Sequence, residues 1–166
     1  QLIITVFAFN FFAKNDMGHS EKTIKIMTWN VHGMGVFNVP HNKDFDKRLI
    51  EYIKDVDADI ICLPEFSTPK DNLMKPFAEK IIKNSGYTDY RFKDDNTLGT
   101  KIFLGTAVFS KHPFKNYVAN KLEEYVYMMQ GDMELPGGNT VRMFFVHLNT
   151  FGLSDNDKAY IQNVSI

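Results

Sequence analysis

The sequence predicts an α/β fold with a mixed sheet, in which parallel strands come early in the chain and antiparallel strands late. Two strand-like runs, residues 24–31 and 60–63, lie on either side of one helical pattern, which is typical of parallel strands joined by a right-handed crossover. Beyond residue 101, strand-like runs follow one another with no helical pattern between them, which indicates antiparallel pairing. The 166 residues are enough for one domain with an apolar core.

The charge and the cysteine content argue against a basic nucleic-acid-binding face and against an internal disulfide. The formal net charge is −1 and the lysines are spread along the chain, although a phosphate site needs only local positive charge. The single cysteine, Cys62, has no partner in the chain and lies in an apolar run. We therefore interpret Cys62 as a small core residue.

Residues 1–22 are predicted to be an apolar arm and a linker, followed by the N-terminal part of a domain over residues 23–166. Residues 2–13 are apolar apart from Thr5 and Asn10, but a bilayer span takes about 20 residues, and no positive segment precedes them. Two interpretations stay open: an arm packed on the domain, or the end of a membrane segment. The second predicts membrane association and favours a membrane-bound or exported protein over a cytoplasmic one.

Two helices are predicted from apolar residues at helical spacing. The first begins near Asn42 or Asp44, which are good N-caps, and ends at residues 57–59. The residues on its buried face are Phe45, Leu49, Ile53 and Val56. The second helix carries Pro76 in its first turn, the position that suits proline, and ends at residues 84–86. The residues on its buried face are Phe77, Ile81 and Ile82.

The remaining segments are predicted to be strands and turns. Turns are predicted at residues 67–69 and 94–96, where Ser, Thr, Pro, Asp and Asn cluster. Further strands are predicted at residues 87–92, 102–110, 125–135 and 140–148. Residues 136–139 join the last two strands as a hairpin loop. Ser154 and Asp157 form a capping box that predicts a final helix.

Polar side chains stand at the ends of three predicted strands. Asn30 ends the first run, Glu65 follows the second, and His147 follows the apolar residues 143–146. Ligands gather outside the carboxyl ends of parallel strands, so Asn30 and Glu65 are predicted to share one rim. Carboxylate and amide oxygens suit Mg²⁺, which is often held by one or two carboxylates together with a substrate phosphate. From the pattern alone, the alternative stays open that all three residues have only structural roles.

Four motifs follow one another in the chain. They are residues 26–31 (Ile-Met-Thr-Trp-Asn-Val), 58–65 (Ala-Asp-Ile-Ile-Cys-Leu-Pro-Glu), 105–113 (Gly-Thr-Ala-Val-Phe-Ser-Lys-His-Pro) and 146–148 (Val-His-Leu). In this order they resemble the endonuclease/exonuclease/phosphatase superfamily, whose members include deoxyribonuclease I-like enzymes. The resemblance implies a four-layered α/β sandwich with mixed sheets, of which only the first part is present. It also implies a hydrolase that cleaves phosphate esters with Mg²⁺ or Mn²⁺.

The resemblance also implies roles for individual residues. Glu65 would be the metal-binding carboxylate, Asn30 would orient the metal site and the phosphate, and His147 would contact the scissile phosphate. Asn149 and His32 are expected to contact the substrate. That substrate is expected to be a phosphate ester of a nucleic acid, a nucleotide or a phospholipid head group.

Two further motifs of the superfamily, Gly-Asp-x-Asn and Ser-Asp-His, are not found in the sequence. Residues 131–134 and 154–156 match them only in part and are rejected as catalytic. His32 stands where apurinic endonucleases carry an acidic residue, and Pro64 where many relatives have Gln, which argues against base-lesion repair. The fragment alone is therefore expected to be inactive. The alternative function is a non-catalytic module that binds a phosphate ligand or a protein on the same scaffold.

Overall fold

The computed structural model of the chain describes residues 24–35, 45–69, 76–98, 102–123, 126–134 and 138–148. In chain order, the elements within these residues are β1 (Ile26–Thr28), a 3-10 helix (His32–Gly35), α1 (Phe45–Val56), β2 (Ile60–Pro69), α2 (Pro76–Ser85), β3 (Asp89–Leu98), β4 (Ile102–Ser110), β5 (Phe114–Glu123), β6 (Val126–Glu134) and β7 (Thr140–Val146). Both predicted helices are therefore present, and α2 has Pro76 as its first residue.

The strands form two sheets. Sheet A has the order β1-β2-β4-β3, in which β1 and β2 are parallel, with Ile26 opposite Ile60, and the other neighbours are antiparallel. Sheet B has the order β5-β6-β7 and is antiparallel. The parallel pair comes first in the chain and the antiparallel pairs follow. The predicted mixed arrangement is therefore confirmed, but its strands are divided between two sheets.

Helices α1 and α2 cover one face of sheet A. Leu49 and Ile53 of α1 are four residues apart, so both lie on the buried side of that helix, and Ile81 of α2 is buried with them. Ile61 and Leu63 of β2 face these helices, because alternate side chains of a strand point to the same face. This helix-to-sheet core fixes β2, which carries Glu65.

The opposite face of sheet A packs on sheet B. Ile60 and Cys62 of β2 meet Met129 and Met133 of β6 there. Burial raises the pKa of the Cys62 thiol to about 12, against the opposing effect of a hydrogen bond with Thr28. The interpretation of Cys62 as a core residue is confirmed. The helices, sheet A and sheet B are stacked as layers of an α/β sandwich, which is the predicted fold class.

Both predicted turns are wrong, because the strands around them continue. β2 runs through residues 67–69 and pairs with β4 as far as Pro69 opposite Ile102. β3 runs through residues 94–96 and pairs with β4 as far as Leu98. Pairing with the long neighbour β4 therefore holds turn-forming residue types in extended conformation. The same pairing places both segments beside the first half of β4, between Ile102 and Gly105.

One strand, β5, is not predicted from the sequence, and another, β1, is shorter than predicted. β5 lies at the edge of sheet B and is rich in Lys and Asn, so it lacks an apolar pattern, as edge strands often do. β1 is only three residues long. Backbone hydrogen bonds from Trp29 N–H to the Cys62 carbonyl and from Val31 N–H to the Pro64 carbonyl continue its contact with β2. These bonds hold the segment after β1 beside Glu65.

Several predictions lie outside the described residues. They concern the arm over residues 1–22, the N-caps Asn42 and Asp44, and the helix that begins at Ser154. In the part of the chain that the structure describes, no helix is long and apolar enough to span a membrane.

Candidate active site

Glu65 lies in a β-bulge inside β2. The bulge sets Pro64 and Glu65 against the single residue Thr106 of β4, between the pairs Leu63–Ala107 and Phe66–Gly105. The prediction that Glu65 follows the end of its strand is therefore wrong. Glu65 has a φ of 56°, in the left-handed region that residues with a side chain rarely adopt. A bulge changes the direction of a side chain, and here it turns the carboxylate out of the regular alternation of β2.

A second bulge faces the first across β4. Asp94 of β3 pairs with Gly105 and Asn96 with Leu104, so Asp95 is an extra residue without a partner in the ladder. At Gly105 the strands come so close that an added Cβ atom would lie 2.1 Å from the Lys93 carbonyl oxygen. Only glycine permits this approach, which lets β3 bulge at Asp95. The two bulges therefore flank the same short segment of β4.

Asn30 is held by two hydrogen bonds. Its amide Nδ2 donates to Glu65 Oε1 at 2.7 Å, and its Oδ1 accepts the backbone N–H of His32 at 2.8 Å. The second bond closes a local turn of the kind that asparagine side chains favour. Asn30 therefore fixes the direction of its own side chain and that of one carboxylate oxygen of Glu65.

His32 approaches the other oxygen of Glu65. Its Nδ1 lies 3.3 Å from Glu65 Oε2, and 75% of its side chain is exposed to solvent. The residue has a φ of 46°, so it shares the left-handed conformation of Glu65. Left-handed residues cost free energy and cluster at functional sites. The imidazole is within reach of both the carboxylate and solvent.

His147 lies between the two bulges, directly after β7. Its Nε2 is 3.7 Å from Glu65 Oε1 and its Nδ1 is 3.7 Å from Asp95 Oδ2. Pairing with the Asp95 carboxylate raises the pKa of His147, burial opposes this effect, and the charge of Glu65 adds to it. Both carboxylates therefore favour the protonated imidazole, which can donate hydrogen bonds from both nitrogens.

The structure brings together four of the five residues predicted for the site: Asn30, His32, Glu65 and His147. The fifth, Asn149, lies outside the described residues. Their catalytic and binding roles stay predictions. Asp95 was not predicted as a site residue, because Asp-Asp-Asn is typical of a turn. A glycine inside a strand often marks a close approach or a bulge, so Gly105 was the available signal.

The donor atoms at this rim fit a weakly held oxygen-binding cation. Among the described residues, no group of three or more His, Cys, Asp or Glu side chains could hold a metal by itself. Mg²⁺ and similar ions need no such group, because one or two carboxylates, waters and substrate oxygens complete their coordination. Glu65 provides a carboxylate for this purpose, and the Asn30 amide oxygen keeps one lone pair beside its bond to His32.

A profile of the Endonuclease/Exonuclease/phosphatase family matches residues 27–163. The chain belongs to this family. The match includes Asn30, Glu65 and His147, and the predicted family membership is confirmed. Among curated protein sequences, none is significantly similar to the chain.

Solved structures share the fold. An endonuclease/exonuclease/phosphatase from Beutenbergia cavernae DSM 12333 superposes with a TM-score of 0.62 at 22% identity, over 78% of this chain and 39% of its own. The human nocturnin catalytic domain with a bound sulfate anion gives 0.63 at 18% identity, over 85% and 57%. ANGEL2, a 2',3'-cyclic phosphatase, gives 0.53 at 16% identity, over 82% and 44%. The chain thus covers less than two thirds of each relative.

Proposed function

We propose that the full-length protein hydrolyses phosphate esters with a divalent cation bound at Glu65. The observation that carries the proposal is the convergence of two carboxylates (Glu65 and Asp95), one amide and two imidazoles at the bulges beside β4. Membership of a family of nucleases and phosphatases supports the same reaction class. Phosphoryl transfer depends mainly on positioning and on charge stabilisation, which these groups can supply.

Glu65 and Asn30 form the cation-binding part of the proposed site. Glu65 supplies negative charge at a side chain that is only 23% exposed, and the Asn30 amide holds one of its oxygens in place. When bound, Mg²⁺ or Mn²⁺ would polarise a phosphoryl oxygen and orient the substrate. The oxygen Oδ1 of Asn30 faces the same rim and serves to orient the cation or the phosphate.

His147 forms the phosphate-binding part. Asp95 holds the imidazole on one side through Nδ1, so Nε2 is directed to the Glu65 side of the rim. A protonated Nε2 donates a hydrogen bond to a phosphoryl oxygen and stabilises the negative charge that grows there in the transition state. Asp95 acts through His147, and is therefore a positioning residue.

The substrate class is to be found by assay across the three expected kinds of ester: nucleic acid, nucleotide and phospholipid head group. The panel should include a generic phosphodiester and a 2',3'-cyclic phosphate, since ANGEL2 is described as a 2',3'-cyclic phosphatase. The sulfate bound to the nocturnin domain is tetrahedral and anionic like a phosphate, which is in keeping with the phosphate ester proposed here as the substrate.

The test compares hydrolysis by the full-length protein and four variants in the presence of Mg²⁺ or Mn²⁺. Glu65→Gln and His147→Gln are each expected to lower kcat by about 100-fold to 1,000-fold, as the loss of one group that stabilises the transition state does. The matched controls are Glu134→Gln and His112→Gln. His112 follows the end of β4, where Ser110 pairs with Ile60 at the end of sheet A away from Glu65. Glu134 lies in sheet B, where it pairs with Thr140 at the end of β7 away from His147.

Unchanged kcat in Glu65→Gln or His147→Gln would contradict the proposal. Binding of a phosphate ester without turnover in the wild-type protein would favour the non-catalytic module instead. Circular dichroism of each variant separates a loss of activity from a loss of folding.

A further inference from the structure

His32 forms a close pair with Glu65, the proposed cation-binding carboxylate. Nδ1 of His32 and Oε2 of Glu65 lie 3.3 Å apart at the exposed side of the rim. Two ligand bonds of about 2.1 Å to one divalent cation place the ligand atoms about 3.0–3.4 Å apart, for octahedral to tetrahedral angles. The separation is therefore that of two ligands of one cation.

We propose that His32 is a further protein ligand of the cation beside Glu65, so that the site prefers Mn²⁺ to Mg²⁺. This inference rests on the proposed function, because it assumes that Glu65 binds the cation. It gives His32 a role in place of the substrate contact expected from the sequence. The cation would lie between Nδ1 of His32 and Oε2 of Glu65.

The surroundings of Glu65 favour His32 over the other side chains as this ligand. Oε1 already accepts the hydrogen bond of Asn30 Nδ2, so Oε2 is the oxygen better placed for a cation. Nε2 of His147 lies farther from Glu65, at 3.7 Å, and its other nitrogen faces Asp95. His32 is the imidazole that lies closer to the carboxylate, and 75% of its side chain is exposed to solvent.

The backbone around His32 also suits a fixed ligand. Its N–H is bound by the Asn30 side chain at 2.8 Å, and the same side chain holds Glu65. One asparagine thus holds the Glu65 carboxylate and the backbone of His32. Preorganised ligands lose less conformational freedom when the ion binds, which raises the affinity.

The preference for Mn²⁺ follows from the imidazole nitrogen that His32 would contribute. Mg²⁺ takes oxygen ligands and loses its waters reluctantly, so an imidazole adds little to its affinity. First-row transition metals accept imidazole nitrogen, and their affinities exceed that of Mg²⁺ at mixed nitrogen and oxygen sites. An aspartate at position 32 would give two carboxylates and remove this difference.

The test measures cation binding directly, without turnover, in the full-length protein and three variants. Electron spin echo modulation of bound Mn²⁺ detects a nitrogen that is coordinated to the ion. The expected result is a nitrogen signal in the wild type and in His147→Gln, and none in His32→Gln. Titration calorimetry should give Mn²⁺ binding about tenfold weaker in His32→Gln, with Mg²⁺ binding changed less than about twofold. Glu65→Gln should lose binding of both ions.

The outcomes separate the inference from the function on which it rests. A nitrogen signal that persists in His32→Gln and disappears in His147→Gln would overturn the inference and assign the nitrogen to His147. Cation binding that needs Glu65 but shows no nitrogen signal would overturn the inference and leave the proposed function standing. Wild-type protein that binds neither ion through Glu65 would overturn both. Circular dichroism of His32→Gln checks that the variant is folded.

Discussion

Both ends of sheet A carry acidic side chains, but the groups that contact these carboxylates differ between the two ends. At the end where β2 begins, Lys111 Nζ lies 2.6 Å from Asp57 and 3.8 Å from Asp59, and Asp59 also accepts the backbone N–H of Lys25. These carboxylates are neutralised by permanent positive charge and by backbone donors. They tie the turn before β2 to the end of β4.

At the other end, Glu65 and Asp95 face an amide and two imidazoles. In the part of the chain that the structure describes, no lysine or arginine forms an ion pair with either carboxylate. An imidazole carries positive charge only when protonated, so its compensation of the carboxylates is conditional. The comparison indicates that one end uses its acids to hold the fold, whereas the other keeps negative charge for a ligand.

The largest expected effect comes from Gly105→Ala, which alters the strand between the two bulges. The new Cβ would meet the Lys93 backbone oxygen, so β3 must move away from β4. We expect a loss of about 3 kcal/mol in the free energy of unfolding, measured by urea denaturation, since overpacking typically costs about 1–3 kcal/mol.

Gly131→Ala in sheet B is the matched control. The atoms nearest to its added Cβ would belong to the Phe114 side chain, at 3.1 Å, which can give way more easily than backbone. Equal stability losses in the two variants would show that the close approach at Gly105 is not what limits substitution there.

The second prediction concerns the pKa of His147 at the site end of sheet A. Replacement of Asp95 by Asn should lower the pKa of His147, because the carboxylate is the main cause that raises it. NMR titration of the metal-free protein measures this pKa, and Asp94→Asn, whose carboxylate pairs with Lys93, is the control.

The sign of the effect on stability follows from the direction of this shift. A raised pKa means that protonated His147 stabilises the fold at pH below the ordinary value of 6.5, and that this contribution is lost as pH rises through the folded-state pKa. Asp95→Asn should reduce the contribution. An unchanged His147 titration in Asp95→Asn would contradict the pairing.

The sequence predicted which residues form the site, but it did not predict the backbone bulges that position them. Asn30, Glu65 and His147 could be found because apolar runs precede them and because their motifs resemble a known family. Helical spacing also predicted part of the core, since Leu49, Ile53 and Ile81 are buried between the helices and sheet A. The local sequence pattern was sufficient to predict the position of a side chain wherever one strand or helix determines that position.

The bulges could not be predicted, because each depends on the register between two strands that are distant in the sequence. The bulge at Glu65 exists only in the register of β2 against β4, and the bulge at Asp95 only in that of β3 against β4. No periodicity within a single segment contains this information. β5 was missed for a related reason, because its polar residues are held extended by pairing with β6.

The smallest expected effect is that of Lys111→Met at the structural end. Its ion pair with Asp57 is partly exposed, and such pairs contribute about 0.2–1 kcal/mol. We expect a change of this size in the free energy of unfolding and no change in hydrolysis or in cation affinity. A loss of activity without unfolding would contradict a purely structural role for the Lys111 end of sheet A.

The most direct measurement of the central claim is calorimetric titration of the full-length protein with Mn²⁺, with one acid neutralised at each end of sheet A. Asp57→Asn removes a carboxylate from the structural end, and Glu65→Gln removes one from the site end. Wild type and Asp57→Asn are predicted to bind the ion with the same affinity, whereas Glu65→Gln is predicted not to bind it. Equal affinity in Glu65→Gln and wild type would contradict a cation site at the bulge of β2.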